Sequence, residues 1–117
     1  MKIITEFAPG SLGTIIALHG QHYAHNWGFG TFFEAKVAHE LAAFTGRMAS
    51  NDLVLLAYDN EGLAASIVLD LNDPMSGERG GHLQWFICAE RCRGTGIGRK
   101  LMDRAMSHAD DHSNGNV

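Results

Sequence analysis

Apolar positions along this chain alternate between strand-length runs and helix-spaced stripes. Lys2 to Phe7 reads as a short first strand, rich in Ile and Thr. Pro9-Gly10-Ser11 breaks it and starts a helix. Leu12, Ile15, Ile16, His19 and Tyr23 then recur at helical spacing. Asn26-Trp27-Gly28-Phe29-Gly30 reads as a loop. A second helix begins near Thr31, where Thr31 and Glu34 fit a capping box. Phe33, Val37, Leu41 and Phe44 mark its buried stripe, Phe32 and Phe33 are expected in the core, and Gly46 suits its end.

The second half changes period. Leu53 to Tyr58 is a continuous apolar run of strand length, Asp59-Asn60-Glu61-Gly62 a turn, and Leu63 to Leu71 a second run. Together they predict a hairpin. A polar loop follows at 72–81, then a fourth strand from His82 to Ala89. A glycine-bearing turn leads into a helix from about Gly96 to Ala109. Ile97, Leu101, Met102, Ala105, Met106 and Ala109 share its apolar face. The tail from Asp110 to Val117 is polar. The order is β-α-α-β-β-β-α, without internal repeats. With 117 residues this predicts one α/β (α+β) domain over residues 1–117.

Composition narrows the class of partner. Hydrophobic content of 45% supplies one modest core. A net charge of −4 argues against general nucleic-acid binding. Arg91, Arg93, Arg99, Lys100 and Arg104 nevertheless cluster locally, which suits a small anionic ligand. Cys88 and Cys92 read as free thiols, since a two-cysteine metal site needs further ligands at metal-site spacing. His19, His22 and His25 recur every three residues, His39 lies on the next helix, and His19 and His22 read as helix-flank residues. His108, Asp110, Asp111 and His112 read as a solvated polar face, so no metal is expected. The N-terminal stretch is too short and interrupted for a signal peptide, and no apolar run is long enough to cross a membrane. A soluble cytoplasmic protein is the expectation.

The most specific chemistry lies at Arg93-Gly94-Thr95-Gly96-Ile97-Gly98, between the fourth strand and the last helix. Three alternating glycines expose backbone N–H groups and allow a ligand to approach closely. Those groups sit at a helix N-terminus, where the dipole favours an anion. A phosphate cradle follows. A P-loop needs Ser or Thr after its Lys, and Lys100 has none. A dinucleotide fingerprint needs a glycine where Arg99 stands.

The pattern Arg/Gln-x-x-Gly-x-Gly/Ala is matched in full by Arg93 to Gly98. With this motif and element order, the chain resembles the GNAT superfamily, the GCN5-related N-acetyltransferases. Pro9-Gly10-Ser11-Leu12-Gly13, His19-Gly20-Gln21-His22-Tyr23, Trp27-Gly28 and Phe33-Glu34-Ala35 further resemble GNAT domains often fused to MarR-type regulators. The resemblance implies a mostly antiparallel central sheet and acetyl-CoA as the ligand. It implies pyrophosphate on the N–H groups of Gly94, Thr95, Gly96, Ile97, Gly98 and Arg99, with charge from Arg99 and Lys100. It implies pantetheine beside Phe86, Ile87 and Cys88, where the fourth strand splays at a β-bulge and a strand N–H polarises the thioester carbonyl. The implied activity is acetyl transfer to a primary amine of a small molecule or peptide. The alternative is a non-catalytic module of the same fold that binds CoA or a protein partner.

The amine must be neutral to attack, which calls for a base. Glu34 and His82 are the candidates, and Glu90 reads as a turn residue. His22, Tyr23, Trp27 and Phe29 are the candidates for the acceptor groove. The family's proton-donor tyrosine follows a fifth strand, which these 117 residues do not reach. Neither Tyr23 nor Tyr58 matches it. The expectation is therefore a fold truncated before the fifth strand. Its exposed fourth-strand edge would be covered by a second copy in a homodimer.

Overall fold

A sheet covered on both faces accounts for the unbroken apolar runs of the second half. A computed structural model describes residues 1–72 and 82–113, with the backbone alone for 112 and 113. Strands β1 (Lys2–Ile4), β2 (Leu53–Asp59), β3 (Gly62–Asp70) and β4 (His82–Cys88) pair antiparallel in that order. Helices α1 (Ser11–Trp27) and α2 (Thr31–Arg47) cover one face, and α3 (Ile97–Ser113) covers the other. The fold is α+β, as the element order predicts.

Successive residues of β2 divide between two cores, as the two-residue strand period requires. Val54 and Leu56 join Ile15, Val37, Leu41 and Phe44 under α1 and α2. Leu55 and Ala57 join Ile97, Leu101 and Ala105 under α3. Ala57, Ala64 and Ala65 are small and fully buried, which suits close approach of α3 to the sheet.

Several boundaries move. β1 ends at Ile4 rather than Phe7, whose ring instead meets Phe44 edge-on at 6.4 Å. α1 continues through Asn26 and Trp27, because it closes on Gly28 in the left-handed conformation (φ 71°). The capping box does not form. Gly30 caps α2 in an extended conformation, without a side-chain cap bond, and Thr31 is already helical. Glu34 packs over Gly20 of α1, where its carboxylate leaves no room for a Cβ. Gly46 stays inside the last turn of α2, which ends at Arg47. Phe32 is 85% exposed, since the stripe from Phe33 to Phe44 turns it outward, and Met106 is likewise exposed. Beyond Asn72 the expected 72–81 loop lies outside the described residues, as does the tail from Asn114.

Polar groups are built into this core, Asp70 and His19 among them. Asp70 is fully buried at the end of β3. Its carboxylate accepts from Arg47 Nη1 at 3.1 Å and Nη2 at 2.5 Å, and from the Asn72 N–H at 3.0 Å. The Arg47 guanidinium also lies over the Phe44 ring, 5.4 Å from its centre. This pairing ties the end of α2 to the sheet. His19 is buried on α1, donates from Nδ1 to the Ile15 carbonyl at 2.8 Å and stacks on Tyr23. Burial lowers its pKa from the ordinary 6.5, against the opposing pull of the Ile15 carbonyl.

Removing one partner of a buried pair strands the other's charge. Asp70→Ala is expected to destabilise the fold by about 3 kcal/mol, read as a lower urea midpoint at unchanged slope. For His19 the unfolded chain takes up its proton first as pH falls. Stability is full above the ordinary value near 6.5 and declines below it. Thermal melts between pH 7.5 and 5 should show that decline, and His19→Leu should flatten it.

Candidate functional site

The site begins with a fault in the β3–β4 ladder. Ser66 pairs with Ile87 and Val68 with Gln84, so two steps along β3 face three along β4. The extra residue makes a β-bulge, and Trp85 takes a left-handed φ of 49°. Such a conformation costs a non-glycine residue about 1–3 kcal/mol. Two contacts offset it. The Trp85 ring is buried against Phe44, 5.6 Å between centres. Its carbonyl accepts a 2.7 Å bond from the buried Ser66 hydroxyl.

Beyond the bulge, the Ala89 N–H donates to the Ala64 carbonyl at 2.7 Å. Antiparallel ladder bonds alternate, so the polar backbone of Cys88 faces the open edge of β4. Its carbonyl accepts there from Arg93 Nε and Nη2, both at 3.4 Å. Phe86 is exposed on the same edge.

The chain then makes a short 3-10 turn at Glu90–Cys92 and enters the glycine loop. Gly94 and Gly96 are both left-handed, with φ of 82° and 87°. Thr95 turns inward, its N–H and hydroxyl reaching the Cys92 carbonyl at 3.3 and 2.6 Å. The first bond of α3 runs from the Lys100 N–H to the Gly96 carbonyl at 3.1 Å. The N–H groups of Ile97, Gly98 and Arg99 therefore precede any intrahelical acceptor. They form the positive end of a 17-residue helix. A Cβ on Gly98 would lie 3.3 Å from Cys88 Sγ and 3.5 Å from Phe86 Cζ, so this glycine brings α3 onto β4. Loop and strand edge thus form one continuous surface.

Charge around the loop is divided. Arg91 donates to Asp59 from Nε at 3.0 Å and Nη2 at 2.9 Å, and to the Leu63 carbonyl at 3.2 Å. It holds the Asp59 carboxyl well below the usual carboxylate range. The Asp59 carboxylate in turn raises the pKa of the Cys92 thiol, and burial raises that of Cys88. Both cysteines are free. Arg91 thus clamps the turn to the β2–β3 hairpin. Arg99 and Lys100 are exposed in the first turn of α3.

Three clefts meet this surface. One of about 280 Å³ is lined by His22, Tyr23, Phe86, Ile87, Cys88 and Arg93. A second, of about 400 Å³, shares His22, Cys88 and Arg93 and adds Gln21, His25 and Glu90. The third, of about 530 Å³, lies between Phe86 and α3 at Gly98, Arg99, Met102 and Asp103.

Phe86, Ile87, Cys88 and the residues from Arg93 to Lys100 are thus brought to one edge, with His22 and Tyr23 facing it. Phe29 stacks on Tyr23 at 6.0 Å, while Trp27 is 65% exposed and lines none of these clefts. Glu34 and His82, the candidate bases, line none of them either. Glu34 is held over Gly20. His82 stands four residues before Phe86, about 13 Å along the strand. It lines a separate cleft of about 600 Å³ with His39, Glu40 and Gln84. Sequence reasoning missed Ser66 and the Asp59–Arg91 clamp. A serine inside an apolar run was the available signal for the first; the second joins residues 32 positions apart. Among the described residues, no group of three or more His, Cys, Asp or Glu side chains is placed to hold a metal, and no helix is long and apolar enough to cross a membrane.

Known structures share this architecture. The ribosomal-protein-alanine N-acetyltransferase of Brucella melitensis is 18% identical with a TM-score of 0.70, over 95% of this chain and 68% of that one. An acetyltransferase from Clostridium acetobutylicum, solved with acetyl-CoA, is 12% identical with a TM-score of 0.66, over 96% and 75%. An aminoglycoside 6'-N-acetyltransferase from Acinetobacter haemolyticus is 19% identical with a TM-score of 0.62, over 97% and 74%. At these identities the likeness establishes the fold. No curated protein matches the chain. The model of the acetyltransferase (GNAT) family matches residues 18–116. With that match over most of its length, the chain belongs to the acetyltransferase (GNAT) family.

Proposed function

We propose that this protein is an acetyl-CoA-dependent N-acetyltransferase whose cofactor lies along the β4 edge and the glycine loop. The single observation that carries the reading is the continuity of those two features. The Ala89 bond to β3 leaves the Cys88 backbone facing outward, and Gly98 packs directly against Cys88 and Phe86. A pyrophosphate suits the N–H groups at the start of α3, because they lack intrahelical acceptors and carry the helix's positive end. Arg99 and Lys100 add charge at the rim. A pantetheine arm, with its amide groups, suits an edge of unpaired strand backbone.

The chemistry needs little from side chains. A neutral primary amine attacks the thioester carbonyl, and the C–N bond forms as the carbonyl pair moves to oxygen. The outward Cys88 N–H suits stabilisation of that oxyanion. On collapse the carbonyl would re-form as the C–S bond breaks, and the proton lost by nitrogen would pass through solvent to the departing thiolate. His22 and Tyr23 support an acceptor approach from the α1 side. The first-half residues that resemble MarR-fused domains support that subgroup as the relative to test first, and a cytoplasmic setting accords with free thiols.

Calorimetry with acetyl-CoA, then thiol release across a panel of small amines and peptides, tests the reading. Saturable binding and amine-dependent thiol release are expected. Binding without release on any amine favours a CoA-binding module instead. Gly96→Asp forces a side chain onto a left-handed position and sets a like charge against the phosphates. It should weaken binding on the order of a hundredfold, and unchanged affinity would refute the cradle.

Among the described residues β4 is an outer strand of the sheet, which supports a second copy as a partner, the homodimer expected of an unpaired edge. Light scattering across a dilution series should show a mass that rises with concentration. A constant monomer mass removes the dimer.

A further inference from the structure

Arg93, the first residue of the loop motif, is turned away from the loop's own N–H groups. Its N–H donates to the Glu90 carbonyl at 3.2 Å. Its guanidinium reaches back to the Cys88 carbonyl and across to His22, with Nη2 2.8 Å from His22 Nδ1. A guanidinium has donors and no acceptor, so Nδ1 must present its lone pair. A second donor, Asn26 Nδ2, approaches the same nitrogen at 3.1 Å and also holds the His22 carbonyl at 2.8 Å. The ring is thereby fixed with its proton on Nε2 and set edge-on to Tyr23 at 5.0 Å.

This contact spans 71 residues of sequence and joins α1 to the loop that follows β4. α1 packs on one face of the sheet and α3 on the other. The loop between β4 and α3 includes two left-handed glycines, and a Cβ on either would meet nothing within 4 Å. Thr95 braces the loop internally and Arg91 ties its preceding turn to the β2–β3 hairpin, but neither bond reaches α1. Arg93 stands immediately before Gly94, so anchoring its side chain sets the loop's starting direction.

We propose that Arg93 is a positioning residue that acts through His22. It latches the cofactor loop to α1, so that the acceptor-side helix and the phosphate cradle are set together. The latch lowers the ordering required of the loop when cofactor binds. It rests on the reading of the loop as a coenzyme A site. It differs from that reading in giving Arg93 no direct contact with the phosphates.

The test uses the full chain and coenzyme A as the probe, with two measurements. Calorimetry compares wild type, His22→Ala, Arg93→Leu, the double variant and His22→Asn, whose side-chain oxygen stands near the position of Nδ1. Each single removal should weaken coenzyme A about threefold to tenfold, the double variant no further, and His22→Asn should stay within about twofold of wild type. Nitrogen-15 NMR of the His22 ring should show an unprotonated Nδ1 whose resonance is displaced in Arg93→Leu. Affinity unchanged in His22→Ala but reduced in Arg93→Leu overturns the proposal, since Arg93 then acts on the phosphates directly. Losses that multiply in the double variant also overturn it. If wild type binds no coenzyme A, the cofactor reading fails. The ring resonance then judges the latch: displacement in Arg93→Leu supports it, and an unmoved resonance overturns it.

Discussion

The site depends on one irregularity, the extra residue of β4 at Trp85, whose carbonyl accepts a hydrogen bond from the Ser66 hydroxyl of β3. A regular β4 would pair with β3 throughout and point Leu83, Trp85 and Ile87 to one face. The extra residue breaks that regularity. Leu83 packs under α3, while Trp85 is buried with Phe44 under α1 and α2. The strained backbone at Trp85 persists because its large ring is fully engaged and its carbonyl has the Ser66 hydroxyl. Burial of an indole against a phenyl ring outweighs a cost of about 1–3 kcal/mol at one dihedral pair.

From that point the rest of the edge follows. With Ala89 bonded to β3, Cys88 faces outward, and its carbonyl becomes the anchor for Arg93. Gly98 lets α3 approach Cys88 and Phe86, so the helix N-terminus opens beside the strand's free backbone. The basic residues then divide by geometry. Arg91 belongs to the Asp59 clamp and Arg93 to the β4–α1 junction, while Arg99 and Lys100 remain at the mouth of the cradle. A cluster that looks uniform in sequence separates into members engaged in the fold and members exposed at the start of α3. Polar groups elsewhere in the core, Asp70 with Arg47 and His19 with the Ile15 carbonyl, hold the helices that frame the site.

Much of this was legible beforehand. The two-residue and helical periods locate the four strands and three α-helices of the described residues, and their order gives the fold class. The glycine spacing after the fourth strand locates the left-handed turn and the approach of α3 to β4, because such turns and close contacts restrict residue choice locally. The misreadings share one cause. Thr31 and Glu34 satisfy a capping pattern, yet Gly30 supplies the cap and Glu34 fits over Gly20, a contact between two helices. Glu34 and His82 are chemically suitable bases, yet packing and strand length hold them away from the clefts around Cys88. Phe32 is apolar but lies off the buried stripe.

The sequence by itself determined the elements, their order, the glycine turn at the start of the last helix and the exclusion of a P-loop. These follow from neighbouring residues, through backbone restriction and side-chain period. Only the tertiary structure decided where β4 bulges, which arginines remain available to a ligand and which histidine meets the loop. Those outcomes rest on contacts such as Ser66 with Trp85, Asp59 with Arg91 and His22 with Arg93. Each joins residues far apart in the chain, and the energy of a long-range contact leaves no periodic mark on the residues that make it.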